Sequence, residues 1–157
     1  MRKWILSIIF IFAAVLVLPP LFGFYPVAIV NGHFISYRAW KKVERASLQF
    51  VNAGELAKGL KITNFQASEN AVTLLDIRRG ALLFLIEGEI LRQEGERTVE
   101  DFSEIIQKRV TQALRKLKNP GKALSFVYGM SREDFEKLVL FPEARRDVLE
   151  EAALSQA

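Results

Sequence analysis

The chain has 157 residues, 50% of them hydrophobic and 25% charged, which allows one modest domain plus an apolar segment but not two full domains. It has no cysteine and a single histidine, His33, so disulfides, thiolate metal sites, cysteine nucleophiles and histidine-based zinc sites are all excluded. The net charge is only +4, with Arg2 and Lys3 supplying two of those charges, and a mixed-sign surface of that kind argues against a nucleic-acid partner.

The first element is an uncharged run, WILSIIFIFAAVLVLPPLF, opening at Trp4 and closing at Phe22. As a helix it would reach about 28 Å, close to the hydrocarbon thickness of a bilayer. It reads as a transmembrane anchor, and Arg2 and Lys3 before it place the N-terminus in the cytoplasm and the following domain outside. A cleaved export signal is the competing reading. The bulky residues after Pro19-Pro20 offer no small-x-small cleavage site, so the uncleaved anchor is favoured.

The run VAIVNGHFIS follows, residues 27–36. It reads as one short strand, an Asn31-Gly32 turn and a helix capped by Ser36, with His33 exposed in the turn. A lone strand leaves a largely unpaired edge, and no strand partner is expected in residues 43–157.

Helical patterning covers the rest. Trp40, Val43, Leu48 and Val51 mark a first helix, and residues 53–65, with Gly54 and Gly59, read as a loop. A long helix is predicted from Ser68 to about Gln93. Its segment ALLFLIEGEIL is apolar nearly all round, as for a helix wrapped by others, and Gly80 and Gly88 predict close approach of a neighbour. Thr98-Val99-Glu100-Asp101 resembles a capping box for the next helix. That helix carries the stripe Val99, Phe102, Ile105, Ile106, Val110, Leu114 and Leu117, and Asn119-Pro120-Gly121 stops it. Ser131 caps a short helix containing Phe135, and Pro142 sits in the first turn of the last one. The predicted fold is therefore mainly α: an N-terminal transmembrane helix, then a small helical bundle with a single short strand at its start. The domains are residues 1–24 (cytoplasmic stub and anchor) and 25–157 (the extracytoplasmic domain).

Sites of chemistry are scarce. Glu87 and Glu89 stand at i and i+2 on a helix, so they face different ways and make no carboxylate dyad. The cluster Lys108, Arg109, Arg115, Lys116, Lys118 and Lys122 reads as a solvated helix face. No phosphate loop, metal set or nucleophile motif occurs, so no catalytic residue, metal or cofactor is assigned and no enzyme activity is expected.

One resemblance carries further. Val27, Ala28, Ile29, Val30, Asn31, Gly32, Ile35 and Ser36 resemble the opening of the SurA N-terminal domain found in exported folding factors. Residues 74–93, residues 94–114 and the Gly129-Met130-Ser131 turn are similar, in order, to that domain's later elements. Family members usually continue into a parvulin-type isomerase, and neither such a domain nor its histidines stand in this sequence, so no isomerase activity is carried over. The resemblance implies a membrane-anchored, extracytoplasmic, chaperone-like module that binds exported or unfolded polypeptides. The candidate contact residues are Val27, Ile29, Phe34, Tyr37, Trp40, Phe126, Tyr128 and Phe135. The alternative is a scaffold docking one defined envelope partner, such as a separate isomerase or secretion component.

Overall fold

The computed structural model describes residues 25–67, 70–116 and 120–155. The chain divides into two compact units, Met1–Lys41 and Lys42–Ala157.

In the first unit, β1 (Pro26–Val30) pairs antiparallel with β2 (His33–Ser36), in register Ala28↔Ile35, Ile29↔Phe34 and Val30↔His33. The expected single strand is thus corrected to a two-stranded hairpin. Asn31 and Gly32 take φ of 48° and 85°. Positive φ at both central residues makes a type I′ turn, whose twist matches that of the strands, and Asn-Gly is the sequence that best tolerates it. The chain therefore turns back on itself and supplies the missing strand from the next four residues. Among the described residues no strand lies beyond Ser36. Ser36 still caps the following helix, α1 (Tyr37–Ala57): the Ala39 N–H donates to Ser36 Oγ at 3.2 Å.

No helix among the described residues is long and apolar enough to cross a membrane. The span expected from Trp4 to Phe22 lies outside the described residues. The observed architecture is mainly helical with one short two-stranded sheet.

In the second unit α1 runs past Gly54 to Ala57, five residues into the expected loop. It stops where Gly59 adopts φ of 74°, with the Gly59 N–H donating to Leu56 O and the Leu60 N–H to Glu55 O. That pair of bonds is a Schellman motif, which satisfies carbonyls the helix end would otherwise leave bare. Next come α2 (Ala71–Thr98) and α3 (Phe102–Lys116). Thr98 closes α2 and does not open α3: its hydroxyl donates to Glu94 O. Asp101 instead accepts at its backbone oxygen from Glu104 and Ile105. Pro120, expected only as a helix stop, is the first residue of a further helix, α4 (Pro120–Tyr128).

The last 24 residues of described helix run without a break from α5 (Arg132–Phe135) through a π-helical turn (Glu136–Leu140) into α6 (Phe141–Ser155). Pro142 accounts for the wide turn. Its ring would crowd the carbonyl four residues earlier, and it has no N–H to donate there, so the backbone opens to an i→i+5 pattern. The Phe141 N–H accordingly donates to Glu136 O.

One of two buried apolar clusters lies between α3 and α6, beside α2; the other joins Ala46, Leu124, Met130 and Phe135. Phe102, Ile106, Val110 and Leu114 from α3 are buried with Ala144 and Val148 from α6, as the apolar stripe of α3 predicted. The buried positions of α2 are Leu74, Ala81, Gly88 and Gly95, seven residues apart each time, hence on one face. A Cβ at Gly88 would touch Pro142 at 3.5 Å, and one at Gly95 would strike the Phe102 ring at 2.1 Å. The expected close approach is real at Gly88 but absent at Gly80, where an added Cβ meets nothing within 4 Å. Nor is α2 wrapped on every side: Leu75, Leu83 and Ile90 are exposed.

Candidate functional site

The open face of Gly80 leads to an apolar cavity of about 400 Å³ within the second unit. One wall is α1, through Val43, Ala46, Ser47, Phe50 and Val51; the opposite wall is α2, through Gly80, Ala81 and Phe84. Tyr128 and Met130, at the end of α4, and Leu138 and Val139, on the π turn, complete it. None of the lining residues is charged. The Ser47 hydroxyl donates to Val43 O of its own helix at 3.0 Å. Phe50 and Tyr128 stack with centroids 5.4 Å apart and planes 9° apart, and Phe135 leans on the far side of Tyr128 at 5.4 Å.

Each wall is braced by a polar contact. On α1, Glu44 is buried to 2% exposure and accepts from Arg78 Nε of α2 at 2.7 Å. Glu44 is the buried member and Arg78 is partly exposed, so losing Arg78 would leave a buried carboxylate without this partner between α1 and α2. Lys42 pairs with Asp134 of α5. The Lys42 ammonium holds the Asp134 carboxyl below its ordinary range, helped by Ser131 against the opposing effect of burial. Gln49 Nε2 donates to Ser125 O and Phe126 O at 3.0 and 2.9 Å, closing the C-terminus of α4, and Gly129 at φ of 61° leaves room for the Gln49 side chain. The chain then enters α5, capped as expected: Ser131 Oγ accepts from the Asp134 N–H at 3.1 Å.

The residues predicted from sequence as polypeptide contacts are divided between the two units. Val27, Ile29, Phe34, Tyr37 and Trp40 belong to the first unit; Phe126, Tyr128 and Phe135 belong to the second. Of the latter, Tyr128 lines the cavity, Phe135 is buried behind it, and Phe126 faces a separate, more polar depression beside Arg45, Gln49 and Asn52. Phe50, Phe84, Gly80 and the π-turn residues were missed. Gly80 carried a signal, since a glycine in a helix interior asks for a reason; the π turn had only Pro142.

Several of the polar residues weighed from the sequence form ion pairs. Glu87 accepts from Arg146 and Glu89 from Arg92, each at closest approach of 2.7 and 2.6 Å. From the basic cluster, Arg109 pairs with Glu151. Among the described residues no group of acidic or histidine side chains is placed to hold a metal ion. Comparison with family models, with curated proteins and with solved structures finds no match to this chain.

Proposed function

We propose that the chain is a chaperone-like module that binds apolar stretches of exported or unfolded polypeptides, at the outer surface of a membrane and without isomerase chemistry of its own. The observation that carries this reading is the uncharged cavity between α1, α2 and the π turn. A cavity of about 150 Å³ holds one benzene ring, so about 400 Å³ admits two bulky side chains. With no charged group in its lining and the Ser47 hydroxyl already donating to its own helix, the site selects by apolarity and size, not by sequence. Aromatic rings and Met130 suit variable guests, because they pack against many shapes. The ordered motifs that resemble the SurA N-terminal domain support the same reading, and the uncharged run between Trp4 and Phe22 supports the membrane location.

Gly80→Leu is the test. In lipid nanodiscs, the wild-type full chain is expected to bind fluorescent apolar peptides and to slow aggregation of a denatured exported protein. The leucine side chain fills the cavity from a position with free space, so the variant should fold normally and bind at least about tenfold more weakly, a loss of about 1.4 kcal/mol. Absence of binding by the wild type, or equal binding by the variant, overturns the proposal. Recovery of one stoichiometric partner from membranes, with no peptide binding, would mark a scaffold instead.

A further inference from the structure

The charge of the chain is unevenly distributed. Residues 1–43 hold five of its 22 Lys and Arg and none of its 18 Asp and Glu, the first acid being Glu44, so residues 44–157 sum to −1. The described part of this acid-free stretch is the hairpin and the start of α1. There Ile29 and Phe34 stand opposite each other across β1 and β2, hence on one face, and they are 61% and 71% exposed. Their neighbour in the register, Ile35, lies on the other face and is buried. Arg38 is exposed at the base of the hairpin. Lys41 extends over the rings of Trp40 and Tyr37, its ammonium 5.2 and 5.9 Å from their centroids, and Tyr25 stacks on Tyr37 at 4.8 Å.

We infer that the hairpin and the first turn of α1 form a docking surface for anionic phospholipid. Ile29 and Phe34 enter the boundary between headgroups and acyl chains, Tyr25, Tyr37 and Trp40 sit at headgroup level, and Arg38 and Lys41 meet the phosphates. Aromatic rings backed by long cationic side chains are the composition that membrane interfaces favour, and an acid-free segment is attracted to an anionic leaflet without internal opposition. A client strand fits the edge less well. Pro26 lacks an N–H, the register slips between Pro26 and Ala28, and β2 is only four residues long; each blunts edge pairing. A second copy would bring like charges together. This inference goes beyond the cavity and draws on the membrane location proposed above: only residues 23–25 separate the hairpin from the run ending at Phe22, a reach of about 15 Å at most.

The absence of natural cysteine makes Phe34→Cys a unique labelling position, and its exposure means the change disturbs no packing. The full chain, carrying an environment-sensitive NBD dye there, is reconstituted into vesicles of phosphatidylcholine alone and of equal parts phosphatidylcholine and phosphatidylglycerol. The expected result is blue-shifted emission and quenching by nitroxide lipid on the anionic vesicles only, abolished by the R38E/K41E double variant. On the unlabelled chain, amide exchange over residues 26–36 should slow about tenfold with phosphatidylglycerol present. A dye that stays wet on both vesicles, with exchange unchanged, overturns the inference and leaves the membrane location standing. Failure of the chain to associate with either vesicle overturns both. A shift that requires added unfolded polypeptide, or that follows protein concentration, assigns the face to a client strand or to a second copy and also overturns it.

Discussion

Gly80 and Gly95 lie on one helix, fifteen residues apart, and meet opposite surroundings. At Gly95 the Phe102 ring occupies the space a methyl group would need; at Gly80 nothing stands within 4 Å. The C-terminal half of α2 is thus part of a close-packed core with α3 and α6, and the N-terminal half is one wall of an open cavity. The same residue does two jobs: at 95 it lets a ring approach the backbone, and at 80 it leaves room beside the backbone vacant. Packing complementarity holds the fold together at one end, and its local absence creates the candidate site at the other.

The sharpest way to break this contrast is at its packed end. Phe102 is 3% exposed and central to the core, so Phe102→Ala should cost about 3–5 kcal/mol in urea unfolding. Gly95→Ala places a methyl group 2.1 Å from the ring and should cost about 1–3 kcal/mol, toward the upper end because the obstacle is a rigid ring. The two losses should not add. Once Phe102 is alanine the clash disappears, so the double variant should be no less stable than Phe102→Ala alone. Simple additivity would mean that Gly95 is destabilised for a reason other than that contact.

The open end predicts the opposite sign. Gly80→Ala adds a methyl group that meets nothing and removes a helix-interior glycine, so it should stabilise by about 0.5–1 kcal/mol. A loss of stability there would mean that the space beside Gly80 is not free. Comparing this variant with Gly80→Leu separates stability from binding: both should fold at least as well as wild type, and only the larger side chain should weaken peptide binding strongly.

How much of this was legible depended on whether the signal was local. Helix α3 was readable because its stripe has helical period, and the cap at Ser131 because its partner N–H lies three residues away. Of the hairpin, the first strand and the turn were read and the second strand was not. Asn31-Gly32 between apolar runs is a hairpin signal, but Ser36, which both ends β2 and caps α1, drew the reading toward a helix alone. The cavity was not readable. Its walls come from residues 43–51, 80–84 and 128–139, and a void has no residue of its own to announce it. The extension of α1 through Gly54 escaped because a glycine penalty of about 1 kcal/mol is small beside the tertiary contacts of a helix. Candidate contacts chosen for being aromatic mixed Phe135, a core ring, with Tyr128, a wall ring, since composition does not report depth.

The smallest expected effect concerns what holds the cavity wall in place. Asp134 is held below its ordinary pKa chiefly by Lys42, and a carboxyl depressed in the folded state stabilises most above its unfolded pKa. Its contribution is therefore complete at neutral pH and fades as pH falls through the ordinary Asp range toward the lower folded value. Both partners are partly exposed, 38% and 29%, so solvent screening keeps the contribution under about 1 kcal/mol. Asp134→Asn should lower stability slightly at pH 7, leave it unchanged in strong acid, and flatten the profile between. Lys42→Met should flatten the same part of the profile, because the depression depends on the ammonium. If Asp134→Asn flattened it and Lys42→Met did not, the Ser131 hydroxyl and the α5 N-terminus would be holding the carboxylate, and α1 would be tethered to α5 by packing alone.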